Sequence, residues 1–241
     1  YNADALKFLS TLEDNSVDLI ITDPAYSGMN DHLKLGKGRI VGDYKNSKNE
    51  KWFTEFTDSI ENYTIFLESC KRVLKNDSHI FVMFDSYSLV SLAGVFREIF
   101  NLKNIITWDK VNIGMGHYFR RRSEFILFGS KGKKQVSSRR IPDIWEIPRI
   151  HKSQYPTEKP VKLFEAMIKS SRLSDEEDFL ICDPFFGSGS SALASLRNGC
   201  SFIGCDISEK AFKISKSRIN QFYKDGYKKE LLLDEKFWLG K

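Results

Sequence analysis

Apolar positions along the chain follow two rhythms that alternate almost throughout. Residues 17–23, 79–85, 179–183 and 201–206 are short, nearly continuous apolar runs, each closed by an aspartate: Asp23, Asp85, Asp183 and Asp206. Unbroken runs of this length describe strands covered on both faces, hence a parallel sheet. Residues 104–110 and 124–130, richer in β-branched and aromatic side chains, are two further strands. Between the runs the apolar spacing changes to three and four. Phe56, Ile60, Tyr63, Leu67, Cys70 and Leu74 trace one helical stripe, and Leu89, Leu92, Phe96 and Ile99 trace another. Pro160 suits the first turn of a helix through Phe164, Met167 and Ile168, and Ser208 the cap of one carrying Phe212, Ile219 and Phe222. Shorter helices are expected from Ala5 to Leu12 and over residues 190–198. The alternation predicts an α/β fold, a mostly parallel sheet with helices on both faces. Residues 27–51 and 132–156 follow neither rhythm, and connections of that length are functional or unstructured.

The chain has 241 residues, 41% of them hydrophobic and 29% charged, enough for one domain with a sizeable core. A single domain over 1–241 is expected, with a flexible loop at about 27–51 and a short basic insert at about 131–156. No apolar run approaches the roughly eighteen residues of a membrane span. No charged and then apolar leader opens the chain, so no secretory signal is expected. Cys70, Cys182, Cys200 and Cys205 form no CxxC pair, and the four histidines have no ligand-like spacing. A reduced, cytoplasmic setting without a metal site follows. The net charge is +5, but eleven Lys and Arg face only three acids between residues 110 and 152. Such a segment is either a solvated basic face or the footprint of a polyanion.

In open parallel sheets, ligands bind beyond the carboxyl ends of the strands. Two of the aspartate-closed ends carry unusual sequences. Asp183-Pro184-Phe185-Phe186-Gly187-Ser188-Gly189 stands between a strand and a helix. Its glycines permit a tight turn and close backbone approach to a ligand, with a helix N-terminus beyond. Asp206 closes the next strand, placed to accept hydrogen bonds from a ribose or to act as a plain cap. Gly187-x-Gly189-x-x-Ala192 also meets the dinucleotide pattern, but only thirty-five residues follow Asp206, too few for the βαβαβ half that normally follows it. The second unusual end is Asp23-Pro24-Ala25-Tyr26. A carboxylate, a rigid turn and an aromatic ring suit the holding of a flat amine. The lone pair of a nucleobase amine is delocalised into its ring. Hydrogen bonds to Asp23 and to the Pro24 carbonyl favour a more electron-rich nitrogen. Tyr26 stacked on the base contributes about 1–3 kcal/mol. The plain alternative is a turn with a capping aspartate.

Together the two motifs resemble those of the DNA amino-methyltransferases that act on adenine N6 or cytosine N4, in their permuted β group. Asp23–Tyr26 is similar to that family's Asp-Pro-Pro-Tyr motif, with Ala25 in place of the second proline, and Phe185-x-Gly187-x-Gly189 to its cofactor loop. Residues 2–6, 117–128 and 156–160 resemble further family segments in the expected order. The resemblance implies a Rossmann-like class I methyltransferase fold with seven strands and a circularly permuted motif order. It implies S-adenosyl-L-methionine (SAM) as cofactor, S-adenosyl-L-homocysteine as product, and double-stranded DNA as partner in a bacterial or phage-type cytoplasm. Asp23, Pro24 and Tyr26 are then catalytic, acting by direct in-line transfer to a flipped-out base. Asp4, Ala5, Asp23, Thr157, Lys159, Asp183, Pro184, Phe185, Phe186, Gly187, Ser188, Gly189, Asp206 and Ile207 line the cofactor. Lys37, Arg39, His117, Arg120, Arg121, Arg122, Arg139 and Arg140 meet DNA.

Several of these positions have plain alternatives: Asp4 as a helix cap, Lys159 as a solvated lysine, Phe186 as packing, and His117 and Tyr118 as loop or core residues. Aspartate rather than serine at position 23 leans to adenine. The short insert implies a homodimer or a partner subunit. The competing readings are a cytosine-N4 or RNA methyltransferase, a protein-glutamine methyltransferase, whose tetrapeptide is expected to open with asparagine, and a non-catalytic nucleic-acid-binding subunit.

Overall fold

The computed structural model describes residues 1–24, 56–57, 59–114, 118–151, 153, 155, 157–174 and 176–225. Among these, seven strands form one sheet: β1 (Val17–Thr22), β2 (Leu74–Phe84), β3 (Asn101–Asp109), β4 (Ser123–Lys131), β5 (Ile144–Glu146), β6 (Leu180–Asp183) and β7 (Ser201–Gly204). Their order is β5-β3-β4-β2-β1-β6-β7. All pairings are parallel except those of β4, which runs antiparallel between β3 and β2. Six helices accompany them among the described residues: α1 (Ala5–Ser10), α2 (Ile60–Val73), α3 (Ser86–Ile99), α4 (Val161–Ser171), α5 (Ser190–Arg197) and α6 (Glu209–Lys224).

The unbroken apolar runs work as a period-two pattern applied to a sheet with two covered faces. Val17, Ile20, Ile80, Val82 and Phe84 point to one side, where Phe8 of α1, Tyr63, Phe66 and Leu67 of α2 and Leu92 and Phe96 of α3 cover them. Leu19, Ile21, Phe81 and Met83 point to the other, against Leu163, Phe164 and Met167 of α4 and Ala194 of α5. Side-chain caps start several helices as the sequence suggests. Ser208 accepts from Ala211 N, Asp85 from Tyr87 N and Ser88 N, and Asp4 from Lys7 N.

Four local expectations change. Leu74 opens β2 instead of closing the α2 stripe, and is buried in either role. Pro160 is the extended N-cap of α4, not a first-turn residue; its missing N–H costs nothing at either position. Along α6, Phe212, Ile219 and Phe222 are only half-buried, while Ala211 and Ser215 make the tight contact. The segment 132–156 is not structureless. Its residues Ile144–Glu146 pair in parallel with Thr107–Asp109, and Trp145 and Ile147 are buried in the core under β3. A three-residue strand is too short to register as an apolar run. The loop expected at 27–51, with Lys37 and Arg39, lies outside the described residues. Among the described residues no helix is long and apolar enough to cross a membrane, and no three potential metal ligands cluster.

Candidate active site

Because β1 and β6 lie side by side and parallel, the two unusual strand ends emerge at the same sheet edge. A hydrogen bond of 2.8 Å from Thr22 Oγ1 to Asp183 Oδ1 joins them across 161 residues of sequence. Asp183 also accepts from Phe185 N at 3.0 Å and from Ser191 Oγ at 2.6 Å, so its carboxylate ties β1, the glycine loop and α5 together. Burial pushes this carboxyl up to about 7, against the pull of those hydrogen bonds.

The loop itself is held by its glycines and by three charged side chains. Gly187 and Gly189 have φ of +50° and +83°, which favours glycine. A Cβ on Gly189 would stand 2.8 Å from Ser215 Cβ of α6, so the loop needs this glycine for space as well as conformation. Gly189 is also the N-cap of α5 and brings no side chain to the first-turn N–H groups. Asp206 accepts from Gly187 N at 3.0 Å and Ser208 N at 2.8 Å; burial raises its carboxyl and the two N–H groups lower it. From α6, Arg218 donates to Ser188 O at 2.8 Å and Ser188 Oγ at 2.9 Å, and pairs with Glu158 Oε1 at 2.8 Å. Pro184 is buried, and its carbonyl accepts from Cys205 Sγ. Phe185 joins an aromatic cluster with Phe56 and Phe66, and buried Phe186 packs edge-on to Phe202.

The N-terminal segment runs alongside. Asn2 bridges to Asp206 and Ala3 N donates to Asp206 O, which brings the segment carrying Asp4 and buried Ala5 beside Asp206 and exposed Ile207. Asp4 caps α1, as its plain reading held. Thr157 has a φ of +60° in the turn before α4.

On the Asp23 side the dominant feature is charge. Lys159 is not solvated: its side chain is 11% exposed, and Nζ lies 2.5 Å from Asp23 Oδ2. It lies 3.6 Å from Glu124 Oε2, whose partner oxygen Oε1 is 3.1 Å from Lys110 Nζ. Burial disfavours the Lys159 ammonium, but Asp23 and Glu124 more than offset it and hold the lysine above its ordinary range. Burial likewise opposes the Glu124 carboxylate, while Lys159 and Lys110 bring it below its ordinary range. Tyr155 spans both halves. Burial, then Asp206 and Asp23, push its hydroxyl up to about 12, and its ring edge lies 3.6 Å from where a Gly187 Cβ would stand.

The structure separates the predicted arginines. Arg120 Nε donates to Gly114 O at 2.9 Å, Arg121 lies over the Tyr87 ring, and Arg122 pairs with Asp109 at 2.5 Å. These three close the neck of the β3–β4 connection at the Asp23 edge, where Tyr118 and Phe119 are 93% and 95% exposed. Arg139 and Arg140 are exposed but stand elsewhere. Neighbouring Ser137 bonds Lys169 O and Ser170 O at the far end of α4, towards the opposite sheet edge. Tyr26, Ala25 and His117 lie outside the described residues; Pro24 is buried after Asp23. Glu124, Lys110, Tyr155, Glu158 and Arg218 escaped the sequence reading. Glu158 stands inside residues 156–160 and Glu124 inside 117–128, but no spacing marks the others.

A family model described as a DNA methylase of the N6/N4 type matches residues 17–217. The chain is 28% identical to the Type II methyltransferase M2.MboI of Moraxella bovis, over 92% of this chain and 87% of that protein. It is 30% identical to the Type II methyltransferase M.HpaI of Haemophilus parainfluenzae, over 90% and 73%. Among solved structures, the M1.HpyAVI–SAM complex superposes with a TM-score of 0.61 at 22% identity, covering 90% of this chain and 97% of that one. The PvuII DNA methyltransferase, cytosine-N4-specific, gives 0.70 at 17% identity, covering 100% and 92%. The fold is the Rossmann-like sheet of class I methyltransferases. With the matched region running from β1 through both strand-end loops into α6, the chain belongs to the N6/N4 DNA methylase family.

Proposed function

We propose that this protein transfers a methyl group from SAM to the N6 amine of adenine in double-stranded DNA. The observation that carries the reading is the Thr22–Asp183 bond, which sets the Asp23–Pro24 turn directly beside a glycine loop. That loop ends on a helix whose first turn has no side-chain cap among the described residues, a site suited to a carboxylate. Bound there, SAM supplies an electrophilic methyl group. Gly187, Ser188, Gly189, Pro184 and Phe185 would form the wall at its methionine end, with Thr157 and Lys159 opposite. Asp206 and Ile207, with Asp4 and Ala5, would meet the adenosine. Each Asp206 oxygen takes one backbone N–H, which leaves lone pairs for ribose hydroxyls. Asp183 acts as the buried brace of the loop, and Phe186 packs behind it.

Asp23 and the Pro24 carbonyl accept hydrogen bonds from the target amine, and Tyr26 stacks on the extruded base. Orientation and fixed charge supply most of the acceleration. Aspartate at position 23 supports adenine over cytosine. The permuted motif order fits the adjacency of β1 and β6, with the catalytic strand first in the chain. Arg120, Arg121 and Arg122 contribute positive charge at the DNA-facing edge.

The test is transfer of labelled methyl from SAM to mixed-sequence duplex DNA, followed by digestion to nucleosides. Label is expected in N6-methyladenine, and Asp23→Ala should lower the rate at least about 100-fold. Label in cytosine, or none despite bound SAM, would overturn the reading.

A further inference from the structure

Lys110 at the end of β3, Glu124 at the start of β4, Lys159 before α4 and Asp23 after β1 form one chain of charges, with contacts of 3.1, 3.6 and 2.5 Å. Two ammonium groups balance two carboxylates. Within this balanced set one atom stands out: Glu124 Oε2 is buried without a hydrogen-bond partner among the described residues. A carboxylate oxygen left so is costly, and such atoms in a native protein call for a reason. Lys159 Nζ stands 3.6 Å from it and sits on Asp23 instead. A shift of about 1 Å would bring that ammonium within charge-assisted range of Glu124, about 2.7–2.9 Å.

The chemistry proposed for Asp23 explains why a second seat is needed. Methyl transfer leaves the amine nitrogen cationic, and it must lose a proton. When that N–H bond breaks and the proton joins Asp23, the carboxylate becomes neutral. A buried lysine whose nearer carboxylate has been neutralised is left with too little compensating charge at its seat. We propose that Lys159 alternates between two seats, Asp23 before proton transfer and Glu124 after it, and that Glu124 is a positioning residue for the turnover of this site. Lys159 and Glu124 keep their charges throughout; only the amine and Asp23 exchange a proton. Lys110 steadies Glu124 through its other oxygen and leaves Oε2 open. The inference rests on the reading of Asp23 as the amine's acceptor.

Asp23→Asn imitates the neutral state without turnover. In a crystal structure of that variant, Lys159 Nζ should lie within hydrogen-bond distance of Glu124 Oε2. Adding Glu124→Gln removes the second seat, and the double variant should lose more melting temperature than the two single changes together. In the otherwise native protein, Glu124→Gln should lower kcat about 10-fold or more with KM for SAM within about two-fold. Glu124→Asp should recover part of kcat. A Lys159 that stays away from Glu124 in Asp23→Asn, additive melting shifts, or an unchanged kcat in Glu124→Gln would each overturn the inference. Absence of methyl transfer by the native protein would count against the proposed function, and the structural and thermal arms would still decide this one.

Discussion

On the glycine-loop side of the cleft, Asp183 and Arg218 commit their hydrogen-bonding capacity to the protein itself, and each Asp206 oxygen holds one backbone N–H. On the Asp23 side, Glu124 Oε2 and Arg149 Nε are buried without partners among the described residues, and Tyr118 and Phe119 are almost fully exposed. One half is braced by its own hydrogen bonds; the other holds charge and surface in reserve. The difference matches the work proposed for each half. A loop that receives a fixed molecule gains from rigidity, whereas groups that exchange a proton need somewhere for charge to go.

The sharpest way to break the comparison is to disturb the braced half. Gly189→Ala combines a φ of +83° with a Cβ 2.8 Å from Ser215 Cβ. It should destabilise the fold by about 2–4 kcal/mol, read by urea denaturation, with SAM binding lost alongside. Gly187→Ala has a φ of +50° but meets nothing closer than 3.6 Å, so about 1–2 kcal/mol is expected. Equal losses at the two glycines would show that packing on α6 contributes nothing.

Next in size is a pH effect carried by Asp183. Its folded carboxyl holds a proton up to about 7, while the unfolded chain releases it near 3.8. Between those values the folded state binds more protons, so this contribution is complete below the lower value and lost as pH rises through about 7. His79 slopes the other way: burial lowers it to about 4, so its contribution is present above 6.5 and lost as pH falls through about 4. Asp183→Asn should therefore gain stability relative to the native protein as pH rises from 4 to 7. Thermal melts across that range check the sign, and a flat difference would remove the buried-carboxylate account.

The smallest stability effect belongs to the reserve half. Tyr118→Ala and Phe119→Ala should change stability by less than about 0.5 kcal/mol. Their affinity for duplex DNA should nonetheless fall, since a lost base stack is worth about 1–3 kcal/mol. Unchanged DNA binding by both variants would mean the exposed rings serve some other contact.

Much of the fold was legible beforehand. Runs ending in Asp23, Asp85, Asp183 and Asp206 gave four strands, and spacings of three and four gave α2 and α3. β5 was not legible, because three residues carry no period and Ile144–Glu146 is a strand only by pairing with Thr107–Asp109. The two strand-end motifs could be found because their chemistry is contiguous. Arg218 and Glu124 could not: each matters through a partner distant in sequence, and an ordinary surface arginine or glutamate reads the same way. Lys159 was read as solvated or facing the cofactor, whereas its partner Asp23 lies 136 residues away.

By itself, then, the sequence determined most of the strands and helices and singled out two strand-end turns, because periodicity, capping and glycine conformation act over a few residues. Only the tertiary structure decided that Asp183 is a buried brace, that Arg120–Arg122 share the Asp23 edge while Arg139 and Arg140 do not, and that four charges meet behind Asp23. Burial and separation set the strength of every electrostatic interaction, and neither is a property of neighbouring residues in the chain.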